Sequence, residues 1–181
     1  MVIRKIFSID SIKKVWYRYI SSFVNCFVFN CSEVKRLPRN KSELQLFMQL
    51  GGRLFEQLLD ETAAKWQLSP SEVQILLFLD QMPHLDTARD VAQYCGMSKA
   101  SVSGNVLKLA TRGLLTVDVD LKDRRFQHLT LTEQVTPIIA DTRELLQRFD
   151  AQLLKALTDE EREQFLSLLS KINAADSSSS L

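Results

Sequence analysis

Between Ser69 and Leu131 the chain sets out helix, helix, tight turn, helix and two alternating strands, and this order limits the folds open to it. Ser69-Pro70-Ser71-Glu72 places a hydroxyl at an N-cap, Pro at the first helical position and Glu at the third. Ser and Glu at that spacing reciprocally satisfy orphan N–H groups at a helix start. Val73, Leu76, Leu77 and Leu79 supply the buried face, and Met82-Pro83 stops the helix. The next helix opens at Asp86 or Thr87, carries Val91, Ala92 and Tyr94, and ends at Gly96. Glycine takes the left-handed conformation of a helix C-terminus at little cost. Ser98 caps a further helix with Val102, Val106 and Leu109 inward, ending at Gly113.

Ala92, Gly96 and Val102 have the spacing of a helix-turn-helix: a small residue at the crossing, a glycine at the turn, a branched residue packed beneath. Helix-Gly-helix pairs are common, so the segment after Gly113 decides the reading. Leu115, Val117 and Val119 alternate with Thr116, Asp118 and Asp120. Gln127, Leu129 and Leu131 alternate in a return strand, after a charged tip from Asp120 to Arg125. A hairpin directly after a helix-turn-helix is a wing.

Longer amphipathic helices flank this lobe. Asn40 or Ser42 can cap the first, in which Leu44, Phe47, Met48, Gly51, Leu54, Phe55, Leu58, Leu59 and Trp66 recur at helical spacing. Thr132 is read as the cap of a second, with Ile138, Ile139, Leu145, Leu146, Phe149, Leu153 and Leu154 inward. Thr158-Asp159-Glu160-Glu161 forms a capping box for a last helix with Phe165, Leu168, Leu169 and Ile172. These faces carry more apolar surface than one small lobe can cover, so they need a partner. The serine-rich stretch 174–181 is expected to be a disordered tail.

The total charge of +1 misleads, because it averages unlike segments. Residues 1–35 are net +4, 36–97 net −2, 98–125 net +3 and 126–181 net −4. A basic island around the second helix of the helix-turn-helix and the wing thus sits in an acidic body, which points to a polyanion partner. Three cysteines, Cys26, Cys31 and Cys95, have no paired spacing and fit a reducing, cytoplasmic setting. His84 and His128 lie far apart, and no Cys/His spacing suggests a metal site. No phosphate loop or marked nucleophile is present, so neither an enzyme nor a bound cofactor is expected.

Residues 1–35 are compositionally foreign, rich in aromatic and β-branched side chains, with Arg4, Lys5, Lys13, Lys14 and Arg18 early. Their apolar stretch is too short and too polar for a stable membrane span. Three readings stand open: a membrane-surface or partner-binding helix, an extension packed on the body, or a natural start near Val34 or Leu37. We favour the last; intact mass from the native host tests it, and a chain beginning at Met1 overturns it.

The stretch from Gly113-Leu114-Leu115 through Asp123-Arg124-Arg125 to Leu129-Thr130-Leu131-Thr132 resembles the MarR family of winged-helix transcriptional regulators. Asp120, Asp123, Arg124, Arg125, Leu131 and Thr132 match the spacing of the family's wing motif, while Leu121 replaces its usual Pro and Val135 a frequent Gly. The likeness spans about residues 41–173, leaving 1–40 as an N-terminal extension and placing a DNA-binding lobe at about 69–132. It implies a mainly α fold with a small β-hairpin wing, and flanking helices that intertwine in a two-fold homodimer. It also implies a sequence-specific regulator, a repressor by expectation, on a pseudo-palindromic operator in double-stranded DNA, with a small aromatic or anionic molecule as an effector.

In the recognition helix Ser98, Lys99, Ser101, Ser103, Asn105 and Lys108 are the candidate DNA contacts. Asn105 fits bidentate readout of adenine or a plain solvated position, and Gly104 fits close approach to DNA or a packing accommodation. In the wing Lys122, Arg124 and Arg125 are the candidate cations, with Asp123 holding an arginine in place. The competing reading is a solvated tip with an internal Asp–Arg pair. Cys95 reads as a buried structural thiol in preference to a redox sensor, His128 as a packing or solvated group, and Trp66 and Tyr94 as core packing in preference to the lining of a ligand cleft. Two other functions stay in view: a winged-helix protein-interaction module without DNA binding, and a membrane-tethered regulator acting through residues 1–35.

Overall fold

The computed structural model describes residues 42–120 and 127–177. The expectations for residues 1–40, for the wing tip at 121–126 and for 178–181 lie outside the described residues. The elements are α1 (Glu43–Trp66), α2 (Pro70–Gln81), α3 (Ala88–Cys95), α4 (Lys99–Thr111), β1 (Leu115–Val119), β2 (Gln127–Leu131), a 3-10 turn (Glu133–Val135), α5 (Thr136–Leu153) and α6 (Asp159–Ser177). The fold is therefore mainly α with one two-stranded antiparallel hairpin, the winged helix-turn-helix arrangement.

Local capping chemistry sets most of the boundaries. Ser42, Ser69 and Thr87 each form a reciprocal capping box, with Gln45, Glu72 and Asp90 respectively. Thr158 and Glu161 do the same ahead of α6. Such pairs typically contribute about 1 kcal/mol each.

Around α2 the core closes completely. All residues from Glu72 to Leu79 are buried, including Ile75 and Phe78 as well as the expected Val73, Leu76, Leu77 and Leu79. A helix apolar all round belongs in a core. Here α1, α3, α4, α5 and β2 surround it. On α1, Phe55 meets Phe149 of α5 edge-to-face at 5.7 Å between centroids. Asp80 of α2 takes a bidentate pair from Arg143 of α5, and Glu61 of α1 accepts from Arg148 of α5 at 2.8 Å.

Two boundaries differ from expectation. Thr132 makes no side-chain cap for a following α-helix; its hydroxyl donates instead to the Gly113 carbonyl at 2.6 Å. With that oxygen engaged, the chain enters α5 through a 3-10 turn and the α-helix proper begins at Thr136. At the other end, the backbone is helical through Ser177 rather than leaving the helix at Ala174. Ala174 and Ala175 are strong helix formers and prolong the ladder. Among the described residues, no helix is long and apolar enough to cross a membrane.

Candidate nucleic-acid interface

The turn of the helix-turn-helix is built as its residue types require. Thr87 Oγ1 accepts from Asp90 N, and Gly96 ends α3 with φ 57°. Ser98 then starts α4, its Oγ accepting from Ser101 N at 3.1 Å. Val102 and Leu109 are fully buried and Val106 nearly so, as the helical spacing predicts. Cys95 is wholly buried under this turn, consistent with a structural thiol.

The outer surface of α4 presents Ser98, Lys99, Ser101, Ser103, Gly104 and Lys108, all exposed. Leu107 joins them with 68% of its surface exposed, a contributor that polarity-based reading missed. The first turn of α4 holds no acidic residue, so the positive end of its dipole faces outward unneutralised. Free N–H groups at such an end suit an anionic oxygen. A Cβ on Gly104 would meet nothing within 4 Å, so internal packing does not explain the glycine.

Asn105 does not share that surface. It is buried, and its Nδ2 donates to Ser101 Oγ at 3.4 Å. The reason is angular: position 105 lies one turn from both 102 and 109, so it joins the inward stripe. This corrects the reading of Asn105 as a flanking, base-facing residue. Ser101, Ser103 and Lys99 are brought together at the amino-terminal half, and Lys108 stands at the carboxy-terminal half.

The wing root is fastened to the helix-turn-helix. In the hairpin Leu115 pairs with Leu131 and Val119 with Gln127. Leu129 N donates to Asp86 O at 2.7 Å, and Thr87 and His128 form a bridge. His128 stands between two carboxylates, its Nδ1 2.9 Å from Asp86 Oδ1 and its Nε2 3.3 Å from Asp120 Oδ2. The Asp86 contact first, then Asp120, raises its pKa above the usual imidazole value. Neither carboxylate was assigned this role from the sequence. Lys122, Asp123, Arg124 and Arg125 fall between the two strands and lie outside the described residues.

Behind the interface, Trp66 Nε1 donates to Asp141 Oδ2 at 2.6 Å, and Lys65 Nζ lies at the same distance from that oxygen. The Lys65 contact, aided by Trp66, holds the Asp141 carboxyl below its ordinary range. Tyr94 packs on Phe78 with centroids 5.8 Å apart. Among the described residues no group of His, Cys, Asp and Glu could hold a metal ion.

Solved structures share this fold. A MarR transcriptional regulator from Methanosarcina mazei matches with TM-score 0.62 and 17% identity, over 75% of this chain and 97% of that one. MepR of S. aureus, solved in complex with DNA, matches with TM-score 0.56 and 19% identity, over 74% and 96%. BpsR of Bordetella bronchiseptica, whose DNA binding is regulated by 6-hydroxynicotinic acid, matches with TM-score 0.56 and 20% identity, over 72% and 98%. The sequence model of the MarR family matches residues 66–125, from the end of α1 to the second wing arginine. That stretch, with the cap-defined helices and the fastened hairpin around it, has the winged helix-turn-helix fold and is similar over those residues to the MarR family.

Proposed function

We propose that this chain is a sequence-specific double-stranded-DNA-binding transcriptional regulator that works as a homodimer. The observation that carries the reading is the outer face of α4, which combines exposed Lys99 and Lys108, exposed serines and no acidic side chain. In this reading α4 enters the major groove. Ser101 and Ser103 meet base edges, while Ser98, Lys99 and Lys108 meet phosphates. Lys122, Arg124 and Arg125 reach the backbone or the minor groove beside it, with Asp123 orienting an arginine.

The homodimer is supported by exposed apolar side chains along the first half of α1 and the middle and later part of α6: Leu44 at 59%, Leu50 at 58%, Leu168 at 58% and Ile172 at 62%. Two-fold association pairs two recognition helices with two half-sites about 34–36 Å apart, one helical turn of DNA. Repression follows if the operator overlaps a promoter, by occupancy. A small aromatic or anionic effector and a cytoplasmic setting complete the proposal; the fold similarity to BpsR supports the effector.

Selection of bound duplexes from a random pool tests the proposal. A palindromic consensus is expected; failure to enrich any duplex above the random pool overturns it. Arg125→Ala is expected to weaken binding to all sequences and to lower the slope of log affinity on log salt by about 0.9. An unchanged affinity and slope would remove Arg125 from the contact set.

A further inference from the structure

Helices α1 and α4 both end in the same type of turn. In each, a left-handed residue follows the helix and the next N–H reaches back to a carbonyl five residues earlier. At α4 the left-handed residue is Gly113, φ 70°, with Leu114 N donating to Leu109 O at 3.0 Å. At α1 it is Gln67, φ 53°, with Leu68 N donating to Ala63 O at 2.9 Å. Gln67 is the one non-glycine residue with positive φ among the described residues. A side chain in that conformation is strained and persists only where its surroundings hold it.

The grip on Gln67 comes from the recognition helix. Arg112, the residue that closes α4, donates Nη1 to Gln67 O at 2.7 Å and Nη2 to Trp66 O at 3.0 Å. Carbonyls at a helix C-terminus lack intrahelical partners and carry partial negative charge, so a guanidinium fork suits them. Just before Gln67, Lys65 and the Trp66 indole bind Asp141 on α5. The end of α1 is thus gripped from the recognition helix on one side and from α5 on the other. By contrast, α4 packs on α2, α3 and β1.

We propose that Arg112 is a positioning residue that sets the angle of the recognition helix relative to α1, and through α1 the distance between the two recognition helices of the dimer. This rests on the reading of the chain as a dimeric DNA-binding protein. Arg112 belongs to the basic island by sequence, but its guanidinium is spent on carbonyls. It is therefore not one of the cations offered to phosphate. The lever is long. A helix of 13 residues spans about 20 Å, so a tilt of about 5° at its Arg112 end moves the other end by about 2 Å. Half-sites on a rigid duplex register such a shift as a spacing mismatch.

The test uses the full-length protein and a duplex selected from the random pool, with its half-sites at the selected spacing and one base pair closer or farther. Wild-type protein is expected to prefer the selected spacing. Arg112→Ala is expected to reduce that preference by about three- to tenfold, the scale of losing an ordinary solvent-exposed hydrogen bond, with dimer mass and salt slope unchanged. Arg112→Lys keeps the charge but cannot bridge both carbonyls, so it too is expected to relax the preference, by less. A spacing preference unchanged in both variants overturns the proposal. So does a salt slope lowered by about 0.9 in Arg112→Ala with Arg112→Lys like wild type, because that is the signature of a phosphate contact. A protein that selects no duplex overturns the DNA-binding reading and the clamp together; a selected duplex with unaltered spacing preference overturns the clamp alone.

Discussion

The winged lobe and the helical arms treat their apolar side chains in opposite ways. In the lobe, α2 is sealed on every side, and Ile75, Leu76, Leu77 and Phe78 expose nothing. On the arms, Leu44 and Leu50 of α1 and Leu168 and Ile172 of α6 each expose more than half of their surface. The lobe has its complete core within one chain. The arms present the kind of exposed apolar surface that marks an interface. On the proposed function, the difference separates two tasks: DNA contact on the lobe whose core closes within one chain, and assembly on helices whose apolar faces remain open.

The largest effect that would break this contrast lies in the lobe. Phe78→Ala is expected to cost about 3–5 kcal/mol, the range for truncating a buried aromatic in a tight core. Chemical denaturation measures it, and a loss below about 1 kcal/mol would mean that the lobe is not sealed. Next comes the arm. Leu168→Asp with Ile172→Asp is expected to weaken dimerisation by at least tenfold while the far-ultraviolet circular dichroism keeps its helical form. Sedimentation equilibrium reads this, on the premise that each buried Leu or Ile contributes about 1.5–3 kcal/mol. A dimer constant unmoved by two new charges would place the interface elsewhere.

A smaller effect sharpens the joint between the two regions. Gln67→Gly removes the strained left-handed side chain and is expected to stabilise the fold by up to about 1 kcal/mol. A destabilised variant would show that the Gln67 side chain contributes more than its backbone costs. The smallest expected effect concerns His128. Its pKa is raised in the fold by Asp86 and then Asp120, so the stability it supplies is complete below its unfolded value of about 6.5. That contribution is lost as pH rises through the raised folded value. His128→Gln is expected to flatten the corresponding slope of stability on pH, as measured by thermal unfolding across that window. A slope identical to wild type would detach His128 from the wing root.

Much of the architecture was legible because capping is local. Ser69 with Glu72, Thr87 with Asp90 and Thr158 with Glu161 announce helix starts within four residues, and Gly96 and Gly113 announce stops. Where a distant partner decides, the same residues mislead. Thr132 looks like a cap, but Gly113, nineteen residues away, claims its hydroxyl. Asn105 looks like a reader of bases because it is polar, yet helical geometry turns it inward with Val102 and Leu109. Arg112 looks like one more cation of a basic island. Nothing in a sequence marks a main-chain carbonyl such as Gln67 O as an acceptor, so its true partners emerge only in three dimensions.

The fastening of the wing has a further consequence. Its register is pinned outside its own ladder, by Leu129 N on Asp86 O and by the bridge between Thr87 and His128. A strand slip would therefore break bonds to the segment that opens α3 as well as those of the hairpin. The root thus works as a fixed socket, holding the pairing of the two strands by its attachment to the helix-turn-helix.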